Sequence, residues 1–248
     1  MKLKRIWRLL KIILLIICVG TMGFCIYKII SFNSEIKEAE VVQKELIDVS
    51  NILTEEPEES IINFNDLKNI NQDIVAWIYI EGTSINYPIV QTSDNQYYLK
   101  HNYNKEYSAY GSIYMDATAN YDFSSLNTFI YGHYTSSGIM FGELGNYMDQ
   151  EFYNEHPDIL IYTPEETYTA KIFSVHVDDA SSESYQMIFP TQESYFNYVN
   201  LMNEKSVIKS DVKVDITKDK IITLYSCSRE TNYDKQDRYY VHAVINKS

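Results

Sequence analysis

Cysteine is scarce in this chain: there are three, of which Cys18 and Cys25 lie in one apolar run and Cys227 stands alone in the remainder. A disulfide framework is thereby excluded, and the lone thiol is intermolecular, reactive or an inert buried residue. Glycine is sparse as well, with eight residues, which argues against a flexible linker protein, whereas tyrosine is abundant at 23. A net positive charge is found only at the N-terminus. Residues 1–32 hold six bases and no acid, leaving 15 bases against all 34 acids in residues 33–248, a net charge of −19 there. Such a surface repels phosphate backbones and excludes nucleic acid as a partner. No His-x-x-x-His, paired cysteines or Glu-rich ligand loop occurs, so no metal site is expected. The scattered carboxylates give a two-carboxylate glycosidase site no support.

What the N-terminus does have is an uncharged run of sixteen residues, Ile12 to Tyr27, flanked by Lys11 and Lys28 and extended by Ile29 and Ile30. A bilayer asks for about 20 apolar residues, and the flanking lysines can carry their amines to the interfaces. A secretory signal would begin similarly, but no small-x-small cleavage site follows. The expectation is an uncleaved single-pass transmembrane anchor in the cell membrane, with its basic end cytoplasmic and everything after it extracellular. Three regions follow: a basic tip and anchor over 1–32, a stalk helix and acidic linker (Thr54 to Ser60) over 33–60, and a folded domain over 61–248. The last is long enough for one domain with its own core.

Within that domain the pattern is mostly β. Val75–Ile80, Ile85–Gln91, Gly111–Met115, Asn127–Tyr131, Ile159–Tyr162, Thr167–Val177, Val212–Ile216, Ile221–Cys227 and Arg238–Ile245 are short, rich in β-branched and aromatic residues, and bounded by polar turns. Pro88 lacks a backbone donor, which predicts an edge or irregular strand. Helices are expected over Phe64–Asn71, around Met140–Met148, and after Pro190, where Thr191 caps a helix with Tyr195, Tyr198, Val199 and Met202 on one stripe. About eight strands with a few peripheral helices fit a closed or nearly closed β-barrel.

The chemistry gathers at the C-terminus. Cys227 ends one strand pattern and Arg238 begins the next, with a polar loop between them, so pairing of the two strands sets both at one rim. A neighbouring positive charge favours thiolate; the alternative is a half-buried core cysteine. Of the five histidines, His176 and His242 sit within strand patterns as structural residues, and His101 and His156 lie in polar, solvent-facing sequence. His133 differs, because it follows Tyr131-Gly132 where a strand gives way to a loop, and such loops carry chemistry. A Cys–His pair needs proximity in space only.

These segments resemble a known family. Thr223-Leu224-Tyr225-Ser226-Cys227 resembles the sortase signature T-L-x-T-C, Arg238 falls where the sortase arginine follows, and Tyr131-Gly132-His133 resembles the sortase histidine segment. Trp77-Ile78 before Ile85–Gln91, Gly111–Asp116, Met140-Phe141 and the helix after Pro190 are similar to class B sortases in particular. Ser226 departs from the usual threonine but keeps its hydroxyl. Arg229, two residues after the thiol in the loop, is a rival to Arg238, which is better held on a strand. The resemblance, spanning about residues 65–246, implies an eight-stranded sortase barrel and cysteine transpeptidation of surface proteins at a Gram-positive cell wall. Cys227 would attack the Thr carbonyl of an Asn-Pro-x-Thr-Asn/Gly or Leu-Pro-x-Thr-Gly sorting signal. His133 would move the protons and Arg238 hold the substrate, and a peptidoglycan amine would resolve the thioacyl enzyme. It further implies Asn86, Val90, Tyr185 and Ser226 as substrate-binding residues and no cofactor, since class B generally does without calcium.

Two rival readings remain at this point. Papain-like and related cysteine peptidases place the cysteine at a helix start with histidine downstream, whereas here Cys227 ends a strand and only His242 follows it. A membrane-anchored surface binding module on a sortase-like fold would tolerate loss of Cys227 and His133.

Overall fold

The computed structural model describes residues 2–50, 62–227 and 237–247. The chain forms two compact units, Met1–Val42 and Gln43–Ser248. In the first, a helix α1, which runs Lys2–Ser50, contains a stretch, Ile6–Ser34, long and apolar enough to cross a membrane by length and composition. The helix continues unbroken past residue 32 to Ser50. The acidic linker Thr54–Ser60 lies outside the described residues.

The second unit is built on eight strands: β1 Ile74–Tyr79, β2 Asn86–Val90, β3 Ile113–Met115, β4 Asn127–Tyr131, β5 Asp158–Tyr162, β6 Thr167–Asp179, β7 Lys220–Cys227 and β8 Asp237–Lys247. They close into a barrel in the order β1-β2-β3-β4-β7-β8-β6-β5, which leaves no free sheet edge. Two pairs, β2/β3 and β4/β7, are parallel and the rest antiparallel. Helix α2 (Phe64–Ile70) precedes β1, and α3 (Gln150–Glu155) and α4 (Gln192–Lys205) lie between strands in the chain.

Period-2 alternation sorts each strand between two cores. Ile222 and Leu224 of β7 and Val241 and Ala243 of β8 face the barrel interior with Ile78, Ile89, Ile130 and Ile172. Their neighbours Ile221 and Val244 face outward, where Phe173 and the Tyr195, Tyr198, Val199 and Met202 stripe of α4 cover them. Thr191 caps α4 in a reciprocal capping box with Ser194, as its sequence position predicts.

Proline in β2 is accommodated by register. Ile80 donates to the Ile85 carbonyl at 2.9 Å. Since antiparallel pairs alternate, Pro88 and its partner Trp77 form a non-hydrogen-bonded pair. The proline nitrogen therefore faces β3, which pairs with β2 only at Ile89 and Val90.

One expected strand is absent. Val212–Ile216 has no ladder partner, and its alternation arises because Val212, Val214 and Ile216 pack against the cluster under α4. Around Met140–Met148 the regular part is a 3-10 turn, Leu144–Met148, preceded by Met140 in left-handed backbone. Before β3, Gly111 also has a positive φ of 57°, and a Cβ there would lie 2.3 Å from the Tyr98 carbonyl oxygen. Only glycine lets β3 run this close to the Tyr97–Leu99 turn.

Candidate active site

A single row of backbone partners crosses the barrel near one rim: Val90 with Tyr114, Tyr114 with Tyr131, Tyr131 with Tyr225, Tyr225 with Tyr240 and Tyr240 with His176. The aromatic members pack side by side on the outer face, tilted or edge to face, with ring centroids 5.0 Å (Tyr114–Tyr131), 5.5 Å (Tyr131–Tyr225) and 5.1 Å (Tyr225–Tyr240) apart. Above this row the strands end, and there the chemistry-bearing residues collect. Cys227 pairs with Arg238 across β7 and β8, and Arg238 with Asp178 across β8 and β6. On the other side of β7, Gly132 donates to the Tyr225 carbonyl at 3.2 Å, carrying the β4/β7 ladder past Tyr131. The pairing itself ends at Tyr131 and Tyr225, with His133 two residues beyond it after β4 and Cys227 two residues beyond it on β7.

His133 is half-buried, and its Nε2 lies 2.8 Å from the Leu99 carbonyl oxygen. A carbonyl only accepts, so Nε2 carries the hydrogen and Nδ1 is the nitrogen left to exchange a proton. The loop after it is pinned at several points. The His133 carbonyl accepts from Phe141 N at 3.1 Å, and Thr135 Oγ1 donates to the Ile139 carbonyl at 2.6 Å. Ser84 Oγ donates to the Gly138 carbonyl at 2.7 Å, and Met140 N to the Tyr87 hydroxyl at 2.9 Å. Gly132 permits the close approach this requires: a Cβ there would meet Ile113 Cδ1 at 2.5 Å and Phe141 Cδ2 at 2.6 Å.

The Arg238 guanidinium lies 5.9 Å from the Tyr225 ring centroid, and one of its nitrogens donates to the Asp237 carbonyl at 3.0 Å. Among the described residues no carboxylate lies within ion-pair distance of it. Its neighbour Asp178 is otherwise engaged, accepting from Lys205 Nζ at 2.5 Å and Ser184 Oγ at 2.7 Å. Burial alone would raise the Asp178 pKa, but these hydrogen bonds outweigh it and hold it at about 2. Among the described residues, the rim thus keeps one guanidinium uncommitted to any acid.

The two strand histidines are structural, as expected. His176 is buried, with Nε2 on Ser184 Oγ at 3.0 Å, and burial pushes its pKa down to about 4. His242 is completely buried, bonded through Nδ1 to Thr223 Oγ1 at 2.8 Å, and burial followed by the proximity of His176 holds its pKa well below the ordinary value. The loop histidines are less solvent-facing than their sequence implies. His101 stacks on Tyr97 and meets its carbonyl oxygen through Nδ1 at 2.7 Å, whereas His156 uses Nδ1 on the Glu81 carbonyl oxygen at 2.8 Å. Neither touches the rim row.

The four candidate substrate-binding residues fall in different places. Tyr185 joins the rim: its hydroxyl is 2.7 Å from that of Tyr131, and its ring packs on Phe129 and Tyr225 at 4.9 and 5.5 Å. Val90 is fully buried in the row's first strand. Ser226, opposite the core residue Tyr239, turns to the barrel interior, where its hydroxyl has no hydrogen-bond partner among the described residues. Asn86 is at the other end of β2, four residues from Val90, and accepts from Trp77 Nε1 at 2.7 Å. Tyr131, Tyr225 and Asp116 are the rim residues that sequence reading passed over. Tyr131 and Tyr225 stood inside the quoted motifs, and their position on the same strand face as Tyr240 was the available signal.

Comparison with known proteins accords with this architecture. The Sortase domain model matches residues 78–246. Sortase B of Listeria monocytogenes is 38% identical over 170 residues, covering 68% of this chain and 69% of that protein. Sortase B of Staphylococcus aureus is 32% identical over 228 residues, covering 92% and 91%. Among solved structures, a Staphylococcus aureus sortase B–substrate complex superposes with a TM-score of 0.78 at 31% identity, covering 86% of this chain and 99% of that one. Sortase B from B. anthracis in complex with AAEK1 does so with a TM-score of 0.76 at 33% identity, covering 87% and 99%. An eight-stranded closed barrel, a family match over most of the chain and relatives above 30% identity together mean that the chain belongs to the sortase family, as a class B sortase enzyme.

Proposed function

We propose that Cys227 is the nucleophile of a transpeptidase that cleaves a C-terminal sorting signal after Thr and joins the surface protein to a peptidoglycan amine. The observation that carries this reading is the register at the rim, with Arg238 opposite Cys227 and the β4/β7 ladder leading to His133 on its other side. The Cys227 sulfur adds to the Thr carbonyl carbon. As the tetrahedral species collapses, the amide C–N bond breaks and a thioester remains. The proton given up by the thiol passes through His133 Nδ1 to the departing amine. In the second half the acceptor amine gives a proton to the same nitrogen, attacks the thioester carbon and expels the thiolate. Arg238, without an acidic partner among the described residues, supplies charge to the oxyanion in both tetrahedral species and holds the peptide backbone.

In the same reading, the groove that receives the signal, of the Asn-Pro-x-Thr-Asn/Gly or Leu-Pro-x-Thr-Gly kind, is floored by the half-buried Tyr225, with buried Tyr131 and Tyr240 beneath it, and walled by Tyr185. Asn86, Val90 and Ser226 contribute further along it, the last two through backbone and shape because their side chains are buried. The apolar stretch of α1 anchors the enzyme in the cell membrane with its basic end cytoplasmic, so that the barrel works outside, on nascent wall. The test uses the full chain in detergent micelles with a panel of sorting-signal peptides, read by mass spectrometry with and without hydroxylamine. Cleavage after Thr and a hydroxylamine-sensitive acyl adduct on Cys227, both absent in Cys227→Ala, are expected. Intact peptides and an unalkylatable Cys227 would overturn the reading.

A further inference from the structure

Asp116, the residue after β3, is 1% exposed and accepts four hydrogen bonds. Thr118 N and Oγ1 donate to its Oδ1 at 2.8 and 2.6 Å, and Asn95 Nδ2 and the Tyr131 hydroxyl to its Oδ2, both at 2.7 Å. Burial alone would raise its pKa, but these donors outweigh burial and hold it below the usual carboxylate range. The carboxylate is therefore ionised and accepts only.

That fixes the direction of the next bond. The single hydrogen of the Tyr131 hydroxyl is committed to Asp116, so across the 2.7 Å contact between the two phenols Tyr185 must be the donor. A one-way relay results: Tyr185 to Tyr131 to Asp116. Three of the acid's donors come from Asn95 and Thr118 and set its orientation, and the fourth is the link to Tyr185. The segment between β6 and α4 that carries Tyr185 is anchored separately one residue earlier. Ser184 is fully buried, its hydroxyl lies among His176, Asp178 and Lys205, and its carbonyl accepts from the Tyr198 hydroxyl at 2.9 Å. One residue after Tyr185, the Gln186 carbonyl accepts from Asn127 Nδ2 at 2.9 Å. Between these two backbone anchors, the relay is the hydrogen bond that holds the Tyr185 ring itself against Phe129 and against Tyr225, the ring that also carries Arg238.

We propose that Asp116 is a positioning residue which, through Tyr131, holds Tyr185 as the wall of the acyl-donor groove. This rests on the transpeptidase reading, in which Tyr185 meets substrate and Asp116 does not. Because the independent Ser184 anchor survives, loss of the relay frees the Tyr185 ring without unfolding the segment, so it weakens peptide binding and leaves the thiol chemistry intact.

The experiment compares the full chain in micelles with Asp116→Ala, Tyr131→Phe and Tyr185→Phe, and with the Asp116→Ala/Tyr185→Phe double variant. The expected result is a rise of about tenfold in peptide KM for each single variant, the usual consequence of losing one charge-assisted or relayed hydrogen bond, with kcat within about threefold. The double variant should be no worse than the worse single one, since both act on one chain of bonds. Unchanged KM in Tyr185→Phe, a half-exposed and conservative change that folds, would overturn the proposal, as would a fall confined to kcat or full additivity. Hydrogen exchange at the Tyr185 amide, which donates to the Ser182 carbonyl at 3.1 Å, supplies a readout that needs no turnover. It should accelerate about tenfold in Asp116→Ala and Tyr131→Phe, whereas unchanged exchange refutes the tether. Should wild type cleave no peptide, the transpeptidase reading fails and the exchange result still decides the tether.

Discussion

Cys227 and Arg238 are backbone partners across β7 and β8, although the loop that joins them in sequence spans residues 228–236. Antiparallel pairing thus sets the thiol-bearing residue and the guanidinium-bearing residue on one rung, and Tyr225, two residues before Cys227, supports the Arg238 guanidinium from below at 5.9 Å. The rung fixes relative position before any side chain is chosen.

Replacement of Arg238 should therefore act on chemistry more than on folding. Arg238→Ala is expected to lower kcat/KM by about a hundredfold, the usual cost of losing a donor to a developing oxyanion. Arg238→Lys should recover little of it, because an ammonium reproduces neither the planar fork nor the stacking over Tyr225. Steady-state cleavage of the best peptide checks both, and alkylation of Cys227 at an unchanged rate would locate the defect after thiol activation.

At Gly132 the constraint is steric. A methyl group would press on Ile113 Cδ1 at 2.5 Å and the Phe141 ring at 2.6 Å, one residue before His133. Gly132→Ala is expected to destabilise the domain by about 1–3 kcal/mol through overpacking and to lower turnover further by shifting His133. Thermal unfolding compared with kcat separates the two: a variant that kept wild-type kcat at a lowered Tm would show that His133 tolerates the shift.

Most of the barrel was legible because all eight of its strands carry short β-branched and aromatic patterns bounded by turn residues, and the site was legible where motifs end those strands. What was not legible depended on which segments meet. Val212–Ile216 alternates like a strand, yet its apolar side chains serve the α4 cluster and no neighbour offers a ladder. The Asp116–Tyr131 bond needs the β3/β4 register, and Tyr185 reaches Tyr131 across 54 residues of chain. The Leu99 carbonyl that orients His133 belongs to a backbone group, which no residue type announces. Val90 and Ser226 were nameable from motif position, but their burial follows from which face of the closed barrel they occupy.

The histidine loop carries its own measurable tether. Met140 adopts a φ of 56°, a left-handed conformation that costs a non-glycine residue about 1 kcal/mol or more, and its N–H is held by the Tyr87 hydroxyl at 2.9 Å. Tyr87→Phe leaves the ring in the core and removes that acceptor. The expected effects are a Tm lower by about 2–4 °C, as about 1 kcal/mol gives in a domain of this size, and faster hydrogen exchange over residues 133–142. Unaltered exchange in that segment would mean that the Thr135 and Ser84 bonds suffice to hold it.

Stability should also fall on mild acidification, and His176 gives the sign. Its folded pKa is pushed to about 4 by burial, against 6.5 for the exposed ring, so the unfolded chain binds a proton that the folded one refuses. For a base held neutral this way, the contribution to stability is complete above pH 6.5 and is lost as pH drops towards 4. At pH 5 the loss from this one group is about 2 kcal/mol, and fully buried His242, shifted in the same direction, adds to it. Asp178 acts with the same sign over a lower window: its pKa of about 2 lies below the ordinary 3.8, so its contribution survives until pH falls under 4. Urea unfolding of the full chain in micelles at pH 7.5 and 5 should show a lower midpoint in acid, and His176→Gln should reduce the difference between the two. A midpoint indifferent to pH over that range would mean that His176 accepts its proton in place, by way of the buried Nδ1 that has no partner among the described residues.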